Sequence, residues 1–135
     1  MQNDKEKFKK DFIKRLIKFS LSVIILCREI RKDPVLWAIV DQLIRSATSV
    51  GANVMEAKSS SSKRDYIKFF EIALKSANET KYWLILAKEA SNNNLNSQIQ
   101  KLSQEVTEIA NIIASSVLTL KGKKLFCILI CHFDI

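Results

Sequence analysis

Residues 95–121 read LNSQIQKLSQEVTEIANIIASSVLTLK. Within them Leu95, Ile99, Leu102, Val106, Ile109, Ile113, Val117 and Leu120 recur at steps of four and three. A helix brings residues three and four apart onto one face, so this spacing predicts one long helix with a nearly unbroken apolar seam. A seam of that kind is stable only when other apolar surfaces cover it. The rest of the chain supplies them.

Working back towards the N-terminus, residues 6–31 carry a seven-residue-type pattern in Phe12, Leu16, Phe19, Val23, Leu26 and Ile30. Residues 34–57 carry Leu36, Val40, Leu43, Ala47, Val50 and Val54. Residues 63–90 carry Tyr66, Phe69, Phe70, Ala73, Ala77, Leu84 and Ala87. The breaks between these stretches have their own chemistry. Asp33-Pro34 ends the first, because proline disfavours helix at the residue before it and suits a first helical turn. Ser59–Ser62 and Asn92–Asn94 are turn-forming runs, and a serine of the former is placed to cap the helix that follows. Gly122 is a natural helix stop. Helices of similar length joined by short turns must run antiparallel to their neighbours. The expected fold is therefore all-α: one antiparallel, up-down-up-down four-helix bundle over residues 1–121.

Composition agrees. Only 2 Gly and 1 Pro occur in 135 residues, too few for the many turns of a sandwich or barrel. The length suits one domain with a self-sufficient core. Cys27, Cys127 and Cys131 make an odd set without framework spacing, as in a reducing compartment. The charged stretch from Asp4 to Lys18 does not resemble a secretion signal, and no apolar run reaches the ~18–20 residues that span a bilayer. A cytoplasmic protein is expected. Residues 122–135 form a distinct tail. Its run Leu125–Cys131 is apolar on every side, which leaves open packing on the bundle, pairing with another chain, or disorder.

The formal net charge is +8, and such a surplus favours polyanionic partners. Lys7, Lys10, Lys14, Lys18, Arg28 and Lys32 project away from the seam of the first helix, with Lys5, Lys9 and Arg15 nearby. Seven basic residues face two acidic ones between Lys5 and Lys18. A phosphate-facing patch is one reading, since lysine and arginine displace counterions from nucleic-acid backbones. An ordinary solvated face is the other. Ile17, Leu21, Ile24 and Ile25 lie on the same side, away from the seam. A helix apolar all round is covered all round, so these residues predict a homo-oligomer with the first helix at the interface. A tail folded over them is the alternative.

Ser46, Ser49, Asn53 and Glu56 form a polar stripe beside the second seam, and Ser76 and Glu79, continued by Trp83, form a matching one. If half-buried, Asn53, Glu56 and Glu79 need hydrogen-bond partners, because an unpaired buried polar group costs roughly 1–3 kcal/mol. The stripes read either as a shared pocket or, more simply, as a network fixing helix register.

No catalytic or cofactor pattern emerges. With glycine only at 51 and 122, no phosphate-cradling loop exists. His132 is the sole histidine, and Cys127, Cys131 and His132 lack the fourth ligand of a structural zinc site. Glu56 and Glu79 are a conceivable acid–base pair with nothing else built around them. The expectation is no enzyme, no metal and no cofactor. Two functions remain: a nucleic-acid-associated assembly protein that holds structured RNA, or a nucleic-acid enzyme, by charge, or a protein-interaction scaffold with incidental charge; no small-molecule substrate is expected. Contact with an anionic membrane surface is a weaker third.

The stretches Gln42–Ala57 and Asp65–Thr80 resemble the two signatures of the 23S rRNA intervening-sequence protein family, and the resemblance spans roughly residues 8–121. It implies a four-helix bundle assembled as a ring-shaped pentamer. It also implies kinship with the accessory variability protein of diversity-generating retroelements, a basic pentamer that binds nucleic acid and a reverse transcriptase. By matching position, Arg45, Ser49, Asn53, Glu56, Ser76 and Glu79 are the family's signature polar residues, and no catalytic role comes with them. Ala57 stands where the family usually has glycine, and the chain beyond Lys121 matches nothing in the family pattern.

Overall fold

The computed structural model describes residues 1–122, in the order α1 (Gln2–Ile30), a 3-10 turn (Pro34–Leu36), α2 (Trp37–Ala57), α3 (Lys63–Ala90), a second 3-10 turn (Asn93–Leu95) and α4 (Asn96–Lys121). No strand occurs among the described residues. The tail from residue 123 onward, with Cys127, Cys131 and His132, lies outside them.

The boundaries follow local chemistry. α1 starts at Gln2, four residues before the position expected from its seam. Its first turn is polar and invisible to a hydrophobic pattern, yet glutamine, lysine and glutamate are good helix formers. At the first break the Val35 amide donates to Asp33 Oδ1 (3.0 Å), and Pro34 opens a short 3-10 turn, so regular helix resumes only at Trp37. Ser62 caps α3 by accepting from the Asp65 amide (3.1 Å). Gly122 ends α4 in the left-handed region (φ 70°), its amide bonded to Leu118 and Thr119 carbonyls.

The helices close into an antiparallel bundle. α2 and α3 share the most extensive contact, α3 packs on α4 and α1 on α2, and of these four neighbouring pairs the α1–α4 contact is the sparsest. All six expected α1 seam residues are buried, as are Leu36, Val40, Leu43, Ala47, Val50 and Val54. Leu84, Ile99, Ile109 and Ile113 are fully enclosed, and burial of such a side chain stabilises by about 1.5–3 kcal/mol. Tyr66, Phe69, Leu95 and Leu120, expected to face inward, are only half-buried because they sit towards the ends of their helices. Cys27 is buried in the α1 core face, and burial, with Asp41 adding to it and Arg31 opposing, pushes its thiol up to about 12.

Between α2 and α3 the core residues are small: Ala47, Ala73, Ala77, Ser46, Ser76 and Thr80 are all buried. Small side chains let two helices approach closely, and the hydroxyls among them are then forced to find each other.

Candidate nucleic-acid interface

Ser49 Oγ and Ser76 Oγ meet at 2.9 Å across the α2–α3 contact, either one donating. Asn53 Nδ2 donates to Ser49 Oγ (3.0 Å) and to the Ser49 carbonyl (2.8 Å). One turn further along, Thr80 Oγ1 lies 3.0 Å from Ser46 Oγ and 2.7 Å from the Ser76 carbonyl, and Ser46 Oγ lies 3.2 Å from the Leu43 carbonyl. Direct hydroxyl contacts at these distances leave no room for a ligand atom between them. The stripe ties α2 to α3.

Of the six signature polar residues, Ser49, Asn53 and Ser76 join this network. Arg45, Glu56 and Glu79 do not: all three are exposed. Half-burial of Glu56 and Glu79 is thereby corrected. Steps of three, four and three average less than the 3.6 residues of a helical turn, so a stripe begun at Ser46 drifts around α2 and leaves the interface by Glu56. Glu79 accepts from Trp83 Nε1 (3.1 Å) one turn away on its own helix. Thr80, the most enclosed polar residue at 0% exposure, was not among the expected inward positions, although 73, 77, 80, 84 and 87 share one spacing.

The outer face of α1 is built differently. Lys7, Lys10, Lys14, Lys18 and Arg28 are exposed, and none makes an ion pair among the described residues. At 1.5 Å per residue the four lysines span roughly 17 Å. Lys32 is instead held by Glu29 (2.6 Å). Arg15 leaves the patch altogether: it turns inward across the α1–α4 contact, its Nε donating to Glu105 Oε1 (2.6 Å) and its Nη2 to Glu105 Oε2 (2.9 Å) and Glu108. The Arg15 hydrogen bond is the main cause that holds the Glu105 carboxyl below the usual carboxylate range, with burial opposing it and the Lys18 charge adding to it. The two carboxylates in turn push the guanidinium further above its ordinary range.

Continuing along the same face, Ile17, Leu21 and Ile25 are 54%, 55% and 53% exposed, while Ile24 is half-buried. One strip of α1 thus begins basic and becomes apolar. Among the described residues no helix is long and apolar enough to cross a membrane.

Four antiparallel helices, a hydroxyl network tying α2 to α3 and an outer α1 strip that is basic and then apolar define a basic four-helix-bundle protein. The chain belongs to the 23S rRNA-intervening sequence protein family, whose model matches residues 9–115. It is similar in structure to a protein of unknown function of the S23 ribosomal protein family from Bacteroides thetaiotaomicron, with 30% identity over 78% of this chain and 97% of that chain and a TM-score of 0.70. No functionally curated protein matches it.

Proposed function

We propose that this chain is a non-enzymatic, homo-oligomeric bundle that holds RNA by charge, without reading its bases. The observation that carries the reading is the α1 strip: five exposed cations without ion-pair partners among the described residues, continuous with three half-exposed aliphatic side chains. The cations suit phosphates, which release counterions when lysine or arginine replaces them. No aromatic side chain alternates with them on the outer face, so base stacking has no platform there. The aliphatic side chains suit a second copy of the chain, and a ring of copies would multiply the cationic surface. The family resemblance favours five copies.

Retention of a structured RNA, measured at increasing salt, tests this. Each phosphate contact adds about 0.7–0.9 to the salt slope, so reversing Lys7, Lys10, Lys14 and Lys18 to glutamate removes about 3 from it. Between 50 and 200 mM salt that is worth roughly 50–150-fold in affinity. Absence of RNA binding at low ionic strength, with protein partners co-purifying instead, sinks the RNA reading in favour of a scaffold. An unchanged slope in the reversal variant sinks the assignment to α1.

A further inference from the structure

At the end of the bundle where α1 begins and α4 finishes, a groove of about 1230 Å³ opens between the helices. Its apolar lining comes from Phe8, Phe12, Tyr66, Phe70, Ile112 and Leu120. Phe8 extends the α1 core seam by one turn, stacks on Phe12 (6.4 Å between ring centres) and is still 59% exposed. Across the groove Tyr66 stacks on Phe70 (4.8 Å), and burial pushes the Tyr66 hydroxyl up. The opposite wall is α4, whose Ser115, Ser116 and Thr119 are too small to fill the space that Phe8 faces.

We infer that this groove is the docking site of the chain's own segment Leu125–Cys131, which lies outside the described residues. Three observations converge. First, α4 forms one wall from Asn111 to Leu120, and the chain leaves that helix at the groove. Gly122, in the left-handed conformation, ends the helix at this point. Second, the segment is long enough to line the groove. The α4 wall is roughly 14 Å long. Lys123 and Lys124 are a leash of roughly 7 Å at full extension, and seven residues cover at most about 25 Å. Third, the chemistry matches. Leu-Phe-Cys-Ile-Leu-Ile-Cys has no polar face to show to water, and the groove floor is aromatic and aliphatic. Lys5, Lys9, Lys58 and Lys63 stand at the groove against a single carboxylate, Asp4, and Asp134 is the one carboxylate side chain that follows the apolar run. The volume also exceeds the roughly 300–1,000 Å³ usual for a small-molecule pocket.

Docking there covers Phe8 and leaves Ile17, Leu21 and Ile25 free, so the tail and a sister chain do not compete for one surface.

Thiol trapping in the full chain tests the inference, because Cys127 and Cys131 are natural probes. S115C places a thiol on the exposed groove wall, and S97C places one on the same helix roughly 27 Å away. Under oxidised glutathione in dilute solution, S115C is expected to form an internal disulfide with residue 127 or 131, identified by peptide mapping. S97C is expected to form it at least tenfold more slowly. I128D in the S115C background should slow trapping by a similar factor while the helical spectrum is kept. Equal trapping at both positions, or no effect of I128D, overturns the inference. Disulfides exclusively between chains overturn it in favour of a second copy's segment in the groove. A groove that stays open to a hydrophobic dye in the full chain overturns it in favour of a free ligand site.

Discussion

Thr80 and Ser46 make the reading of the α2–α3 stripe quantitative. Three contacts are at hydrogen-bond distance: Thr80 Oγ1 to the Ser76 carbonyl, Thr80 Oγ1 to Ser46 Oγ, and Ser46 Oγ to the Leu43 carbonyl. Two hydroxyls carry two hydrogens, so the pair shares three contacts between two protons. T80V keeps the shape of the buried side chain and removes one hydroxyl. The Ser46 hydroxyl then still donates to the Leu43 carbonyl, and no buried donor is orphaned. The expected cost is that of one net hydrogen bond, about 0.5–1.5 kcal/mol. S46A costs a similar amount plus a small unfilled volume. The double variant removes both partners together, which is close to neutral relative to either single change. The coupling energy from the cycle should therefore be about 0.5–1.5 kcal/mol. Urea unfolding with circular dichroism measures it, at one fixed protomer concentration because association contributes to apparent stability. A coupling below about 0.3 kcal/mol lies within the error of additivity. It would mean that the two hydroxyls meet without holding the helices in register.

Other consequences follow from particular contacts. A Cβ at Gly51 would lie 3.5 Å from Leu16 Cβ, an ordinary contact. G51A should therefore stabilise α2 by up to about 1 kcal/mol through helix propensity, whereas G51L should prise α1 from α2 and lower the thermal midpoint. Glu105 has its folded-state pKa lowered below the unfolded value, so its contribution is fully present above the ordinary carboxylate pKa and is lost as pH falls through the lowered one. Both partners are about a third exposed (33% and 32%), so E105Q should cost only about 0.5–1 kcal/mol at neutral pH. It should also flatten the acid limb of the stability–pH curve below about pH 4.5; an acid limb identical to that of the natural chain would contradict the assignment. Cys27, buried and with its thiol pushed up to about 12, should resist alkylation at pH 8 until the bundle unfolds, in a timed mass-spectrometric assay. Labelling of Cys27 at the rate of a free thiol would refute that.

The seams were legible because hydrophobic periodicity and burial are the same physical fact seen twice. Phe12 through Ile30 on α1 and Ile99 through Val117 on α4 face inward as their spacing requires. The charged and polar positions were less legible. Periodicity assigns Arg15 to solvent, but its reach to Glu105 and Glu108 depends on which helix lies alongside, a relation ninety residues away in sequence. The helical spacing of Glu56 from Ser46 points to an interface, but the drift of the stripe carries it round to water. Thr80, a lone β-branched hydroxyl among alanines, carries no strong sequence signal although its register is right. The groove beside Phe8 has no sequence signature, since a void depends on what four helix ends fail to fill.

The claim on which the functional reading turns is that the α1 strip at Ile17, Leu21 and Ile25 is covered by another copy of the chain. Mass measured by light scattering or sedimentation of the intact protein tests it most directly, with L21K/I25K alongside. The account predicts an assembly of several 15.4 kDa chains, about 77 kDa if five associate, that falls to a single chain in the variant while helicity is retained. A natural protein that sediments as one 15.4 kDa chain at every concentration, or a variant that assembles unchanged, would contradict it.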